Sequence, residues 1–244
     1  MNVVLPMAGR GSRFTNSGYT TPKPFIEING KPMFLWALES IKGLSIDNLL
    51  IVVLEEHRNQ YNLDNLLREN CDIPFEIICI DSVSEGQLCT VLACKSFFDS
   101  ENEVLIISSD TLVISNINEI IKSSKNVDGI ISTMISDYGD NWSFIKFNTK
   151  GNVIEVAEKN RISNCISTGL YYFKSGKKFL FYANELIRQN FRVNGEFYVI
   201  PVYNLMIKAG LNIKTANSLQ MWDMGNPESK KIFQDALNNN LVLL

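Results

Sequence analysis

The sequence predicts an α/β protein: a Rossmann-like mixed sheet, mostly parallel and flanked by helices, with a small β-rich lobe in its second half. Three observations predict it. Near-continuous apolar runs at residues 2–5, 49–54, 75–80 and 103–107 alternate with segments of helical spacing, as strands buried on both faces do. Beyond about residue 125 the rhythm changes to strand-like segments separated by turn residues, with Lys150-Gly151-Asn152 as a hairpin signal. No internal repeat, low-complexity tract or linker divides the 244 residues, so one domain over 1–244 is expected.

The elements follow in order. Residues 2–5 form a strand and residues 9–24 a loop. Residues 31–41 carry Phe34, Leu35, Leu38 and Ile41 at helical spacing. A buried strand at 49–54 precedes a helix over 58–69 with Tyr61, Leu63 and Leu66 inward, then a strand at 75–80. Gly86-Gln87 opens a helix reaching Phe97, and the strand 103–107 ends at Ser108-Ser109-Asp110. Residues 117–124 read as helix, and 129–134, 143–147, 152–156 and 166–173 as strands. Helices at 176–189, 196–209 and 227–237 and a short strand at 213–216 complete the chain.

Composition narrows the function classes. Net charge is −3 and the basic residues are scattered, whereas a nucleic-acid platform shows a basic excess. No apolar run approaches the roughly 20 residues that span a bilayer. The short N-terminal apolar run lacks the basic lead of a secretory signal, so a buried first strand is expected there. The five cysteines are odd in number and show no C-x-x-C spacing. They read as core residues of a reducing cytoplasm. With a single histidine, His57, a histidine-based triad is disfavoured.

The chemistry concentrates in the first loop. Gly9 and Gly11 let the backbone approach a phosphate and adopt positive φ, and Ser12 adds a hydroxyl donor. Arg13 can grip two oxygens in a fork, and Lys23 is a point cation stiffened by Pro22 and Pro24. The loop reads as a polyphosphate cradle or, from the glycines alone, as a tight turn. A third glycine is missing at position 14, which is Phe, and no G-x-x-x-x-G-K-[ST] occurs. Dinucleotide dehydrogenases and P-loop enzymes are therefore disfavoured.

Asp110, at the end of a buried strand, and Asp223, in Met221-Trp222-Asp223-Met224-Gly225, read either as cap or turn aspartates or as ligands of Mg²⁺. That ion needs few protein ligands beside a triphosphate. Gly86-Gln87 reads either as a capped helix start or as a close approach to a base, with Gln87 offering a donor and an acceptor.

Leu5-Pro6-Met7-Ala8-Gly9-Arg10-Gly11-Ser12-Arg13-Phe14 with Pro22-Lys23-Pro24 resembles the signature of the sugar nucleotidyltransferase (NTP-transferase) family. The resemblance covers nearly the whole chain and implies a GT-A-like nucleotidyltransferase fold. The expected activity is transfer of a nucleoside monophosphate from an NTP to a phosphorylated small molecule, with release of pyrophosphate. Residues 1–125 are then the nucleotide-binding half and 126–244 the acceptor-binding half. Arg13 and Lys23 are implied as catalytic cations, for the β/γ- and α-phosphates respectively. Pro6, Met7, Ala8, Gly9, Gly11, Ser12, Gly86, Gln87, Thr90 and Ser109 are implied to line the nucleotide, and Asp110 and Asp223 to hold Mg²⁺. Asp110-Thr111-Leu112 lacks the Asp-x-Asp of nucleotide-sugar glycosyltransferases of related fold, which argues against sugar transfer.

The acceptor residues implied by the resemblance are Glu158 and Lys159, Thr168 and Gly169, and Glu196 and Tyr198. By themselves, Glu158-Lys159 also reads as a solvated charge pair and Glu196 as a first-turn glutamate. Asn160 replaces the family's usual proline. The run 194–204, with Trp142-Ser143 and Trp222, is most similar to a branch associated with capsule and surface polysaccharides. That branch includes CTP:phosphoglutamine cytidylyltransferase. CTP and L-glutamine phosphate are accordingly the favoured partners. A sugar 1-phosphate acceptor and a non-catalytic nucleotide-binding regulator are the alternatives. No nucleic acid or membrane partner is expected, and a homodimer stays open.

Overall fold

β1 (Asn2–Pro6) is buried along its whole length, as its unbroken apolar run requires. A computed structural model describes residues 1–244. The loop after β1 contains one short helix, α1 (Ser12–Thr15), and a 3-10 turn at Lys23–Phe25. Next come a small hairpin, β2 (Glu27–Ile28) and β3 (Lys31–Pro32), and α2 (Met33–Leu38). The expected helix over 31–41 thus starts two residues late and closes in a 3-10 turn at Glu39–Ile41. Asn29 and Gly30 both have positive φ, 50° and 77°, and this paired left-handed geometry turns 27–32 into a hairpin.

β4 (Asn48–Leu54) is followed by α3 (Glu55–Gln60), α4 (Leu63–Asn70) and β5 (Phe75–Ile80). The single helix expected over 58–69 is broken where Asn62 takes φ 46°. α5 (Gln87–Leu92) is shorter than expected and is followed by a 3-10 turn at Lys95–Phe97. β6 (Val104–Ile107), β7 (Thr111–Ser115), α6 (Ile117–Ser123), β8 (Gly129–Ile135), β9 (Ser143–Phe147), β10 (Val153–Glu158) and β11 (Cys165–Phe173) come next. The chain ends with α7 (Gly176–Arg188), α8 (Val202–Lys208), β12 (Ile213–Asp223) and α9 (Pro227–Asn238). β7 was not expected, and β12 runs to Asp223 where a strand ending at 216 was expected, because the two pair antiparallel from Ser115 with Ser218 to Thr111 with Asp223.

The sheet order is β5-β4-β1-β6-β11-β8-β12-β7, with the β9–β10 hairpin added beside β11 as the expected β-rich lobe. β5, β4, β1 and β6 run parallel, and β11 pairs antiparallel with both β6 and β8. Alternate residues of the central strands feed opposite faces. Val4, Leu50, Val52, Val104 and Ile106 join Leu88, Phe179 and Tyr203 from α5, α7 and α8. Val3, Leu5, Leu49, Ile51, Leu105 and Ile107 join Phe34, Leu63 and Ile117 from α2, α4 and α6. This two-sided burial is the reason the strands read as continuous apolar runs. No helix is long and apolar enough to cross a membrane.

A third apolar cluster sets the site. It gathers Phe14, Ile26, Ile28, Met33, Trp36, Leu112, Met224 and Phe233. Phe14 is adjacent to Arg13, Leu112 lies two residues past Asp110, and Met224 lies between Asp223 and Gly225. Three segments remote in sequence are therefore pinned together by their apolar neighbours, leaving the charged side chains at the carboxyl end of the sheet.

Candidate active site

A cleft of about 840 Å³ opens at that end, bordered by the β1–α1 loop, the loops before α5 and after β6, and the 192–198 segment. Every expected site residue lines it except Lys159.

Two aspartates and two cations meet at its floor. The Lys23 ammonium donates to Asp110 Oδ2 at 2.7 Å, and both side chains are about one-fifth exposed, at 22% and 23%. The Met224 amide donates to the Asp110 carbonyl at 2.8 Å, which clips the end of β12 to the end of β6. The Gly225 amide donates to Asp223 Oδ1 at 3.0 Å. A Cβ on Gly225 would stand 2.9 Å from Asp223 Oδ1, 3.1 Å from Asp110 Oδ2 and 3.8 Å from Arg13 Nη1, so glycine keeps this convergence open. Burial alone would push the Asp110 carboxyl up. The Lys23 ammonium, with Arg13 farther off, outweighs burial and holds it below the usual carboxylate range. Burial and the Asp110 charge push Asp223 up.

Two carboxylates opposing one another at a polar cleft fit a divalent cation. No group of three or more His, Cys, Asp or Glu stands together. The pair therefore suits Mg²⁺, which takes most of its ligands from water and phosphate oxygens.

The glycine loop differs in detail from expectation. Gly11 takes φ 60°, and its open side faces Lys23 Cβ at 3.0 Å, so it seats the Pro-Lys-Pro segment. Gly9 does not take positive φ, and nothing lies within 4 Å of a Cβ built there. It can offer only an unobstructed approach. Met7 borders the cleft with its side chain in the core, next to the end of β1 at Pro6 and the buried Ala8. Ser12, exposed at the start of α1, and Ser109, buried before Asp110, also face the cleft.

On the opposite wall, Gly86 takes φ 130°. Its open side is occupied not by empty space for a ring but by the Phe197 backbone, 2.5 and 2.6 Å from a built Cβ. The Thr90 hydroxyl is taken up by Ser84 Oγ at 2.6 Å and the Gly86 carbonyl at 3.3 Å, so Thr90 shapes the loop beside Gln87. Gly169, φ 88°, gives way to Ser108, whose Oγ would lie 2.5 Å from its Cβ, and Thr168 beside it shares a 3.2 Å hydrogen bond with Ser218.

The far end is acidic and aromatic. Ser143 donates to Glu158 Oε2, and burial pushes the Glu158 carboxyl up. Tyr198 donates to Glu196 Oε2 at 2.6 Å. Lys159 takes φ 52° and is not among the residues that line the cleft. Its ammonium donates to Tyr198 Oη and lies 4.4 Å from that ring's centroid. Its contact is therefore with the cleft residue Tyr198, whereas the expectation placed it on the acceptor directly. The expected helix over 196–209 is confined to α8. Asn194 and Gly195, φ 49° and 81°, make a tight turn that presents Glu196, and the Phe197 backbone bonds to Glu85 and Leu88.

Sequence reasoning missed Glu85, Arg192 and Tyr171 on the cleft wall. The Asn194-Gly195 hairpin signal could have drawn attention to Arg192, whereas Tyr171 looks like any core residue of a strand.

The profile of the nucleotidyl transferase family matches residues 2–239. The chain belongs to this family. The Bifunctional protein GlmU of Aquifex aeolicus is 26% identical over 238 residues, covering 88% of this chain and 48% of the relative. This nucleotidyl transferase thus spans about half the length of that relative. UTP–glucose-1-phosphate uridylyltransferase AglF of Haloferax volcanii is 22% identical over 238 residues, covering 94% of this chain and 93% of AglF. The solved nucleoside-diphosphate-sugar pyrophosphorylase from Vibrio cholerae RC9 superimposes with a TM-score of 0.80 at 29% identity, over 96% of this chain and 99% of that one. The fold of this nucleotidyl transferase is that of the family.

Proposed function

We propose that this nucleotidyl transferase moves a nucleoside monophosphate from an NTP onto a phosphorylated small molecule. The acceptor's phosphate oxygen bonds to the α-phosphorus in line, the bond from that phosphorus to the β-phosphate bridging oxygen breaks, and pyrophosphate leaves. The observation that carries the reading is the convergence of Arg13, Lys23, Asp110 and Asp223 around Gly225.

The acceptor phosphate is already an anion, so no general base is needed. Catalysis is then positioning and charge neutralisation. Lys23, on its stiff Pro-Lys-Pro segment, neutralises charge growing at the α-phosphate. The exposed Arg13 guanidinium, on a helix anchored by buried Phe14, grips the departing β/γ-phosphates. Asp110 and Asp223 would hold Mg²⁺, which supplies further neutralisation of phosphate oxygens. Residues 1–125 supply the nucleotide side and 126–244 the acceptor side, with Asp223 contributed across that division.

The nucleotide is read as CTP and the acceptor as L-glutamine phosphate, on the resemblance carried by residues 194–204, Trp142 and Trp222. Glu158 and Glu196 suit either an amine or hydroxyl groups. The names of AglF and of the Vibrio cholerae protein favour the second reading, a sugar 1-phosphate acceptor. Pyrophosphate release from CTP, UTP, dTTP and GTP against sugar 1-phosphates and amino-acid, choline and polyol phosphates decides between them. Silence with every pair despite nucleotide binding would overturn both in favour of a non-catalytic binder.

A further inference from the structure

The two walls of the cleft meet through two backbone hydrogen bonds, and one side chain straps that junction. Arg192 Nη2 pairs with Glu85 Oε2, Nη1 donates to the Gly195 carbonyl at 3.0 Å, and Nε donates to Asn190 Oδ1 at 2.7 Å. Its guanidinium also covers the Phe197 ring, 4.0 Å from the centroid. Beneath it, the Phe197 amide donates to the Glu85 carbonyl at 2.9 Å and the Leu88 amide to the Phe197 carbonyl at 3.0 Å. Gly86 lacks the Cβ that would separate these backbones. The Val193–Glu196 turn closes on itself through two 3.0 Å backbone bonds, so it moves as one piece. That piece presents Glu196 and, two residues on, Tyr198.

We propose that Arg192 is a positioning residue that couples the nucleotide wall, residues 84–88, to the acceptor wall, residues 193–198. The inference rests on the nucleotidyl-transfer reading above. The geometry explains the choice of arginine. A planar fork can serve a carboxylate and two carbonyl-type oxygens at its edge while its face lies on an aromatic ring, which a lysine ammonium cannot do together. When a nucleotide orders the 84–88 loop, the same bonds order the acceptor turn. By reciprocity, an occupied acceptor side favours the nucleotide. Arg192 itself touches no reacting atom in this scheme.

The test uses the full chain with Arg192→Ala, Arg192→Lys, and Glu85→Arg combined with Arg192→Glu, each first shown to be folded by circular dichroism. With whichever NTP and acceptor pair releases pyrophosphate, Arg192→Ala raises the acceptor KM about five- to tenfold. Both kcat and the nucleotide Kd measured without acceptor stay within about twofold. Arg192→Lys falls between, and the charge-exchanged pair recovers part of the loss. Independently of turnover, hydrogen exchange of the Glu196 and Phe197 amides is followed with CTP, UTP, dTTP and GTP in turn. The nucleotide that binds slows these amides in the unmodified protein and not in Arg192→Ala. An unchanged acceptor KM, a parallel loss of kcat and nucleotide affinity, or no slowing of these amides in the unmodified protein overturns the proposal. Absence of pyrophosphate release from every pair would instead reject the transfer reaction, and the exchange experiment would still decide whether the strap couples the walls.

Discussion

Lys23 and Asp110, 87 residues apart in the chain, form a 2.7 Å ion pair at the floor of the cleft. Neither the Pro-Lys-Pro segment nor the end of β6 would hold its charge there alone. Lys23 offsets the cost of burying Asp110, and the Asp110 Oδ2 that it binds borders the space left open by Gly225.

Removing this cation should be felt in turnover. Lys23→Ala is expected to lower kcat by about 10²–10³, the loss seen on deleting a single transition-state donor. Steady-state pyrophosphate release measures it, and near-normal turnover would refute the assignment of Lys23 to the α-phosphate.

Gly225→Ala separates stability from function. The added Cβ meets carboxylate oxygens at 2.9 and 3.1 Å, and these lie at the tips of side chains that can swing aside. The thermal midpoint should therefore change by less than about 4 °C. The displaced Asp110 and Asp223 should raise the Mg²⁺ concentration needed for half-maximal turnover by about tenfold, as read from a magnesium titration.

Asp223→Asn removes a charge that burial and Asp110 make costly. Stability should rise by about 1 kcal/mol, a shift of about 2–4 °C for a chain of this size. Activity should fall by at least about tenfold at fixed Mg²⁺. Calorimetry and turnover measured on one preparation give both signs. A loss of stability would show that Asp223 has a structural partner strong enough to outweigh the repulsion.

Gly86→Ala should behave differently, because its Cβ would meet backbone atoms of Phe197 and its φ of 130° disfavours any side chain. A loss of about 2–3 kcal/mol is expected. Urea unfolding provides the value, and a cost below about 0.5 kcal/mol would mean that the 196–198 backbone yields freely.

Away from the site, Asp128 accepts from Lys178 Nζ at 2.8 Å and from the Asn212 amide at 3.0 Å. Burial pushes its carboxyl up, but these donors outweigh burial and hold it below the usual range. A carboxyl depressed by folding stabilises above its unfolded value, about 3.9, and that contribution is lost as pH falls through its folded value. Unfolding free energy followed from pH 6 to pH 3 should drop more steeply in the unmodified protein than in Asp128→Asn. Parallel curves would show that Asp128 contributes nothing.

Much of this protein is legible in residues 2–14 and 22–24. Unbroken apolar runs can be accommodated only by strands covered on both faces. A glycine-bearing loop with Arg13 and a proline-braced Lys23 carries the residues from which the phosphate-gripping role is proposed. The placement of Asp110 at a strand end follows from the same local reasoning. Other features depend on partners far along the chain. β7 became a strand only because β12 continues past Ala216 to meet it, and its five residues, taken alone, show too little pattern to be found. Residues 196–201 look helical by composition, yet the Phe197 backbone bonds to Glu85 and Leu88 beside Gly86 and the Asn194-Gly195 turn, and the helix begins only at Val202. That the Lys159 ammonium bonds to Tyr198 Oη, 39 residues away, is likewise invisible in the local Glu158-Lys159 sequence. Local sequence dictates which groups a segment carries and how its backbone prefers to bend. Which groups face one another across the cleft is decided by packing between segments, as Phe14, Leu112 and Met224 bring Arg13, Asp110 and Asp223 to one point.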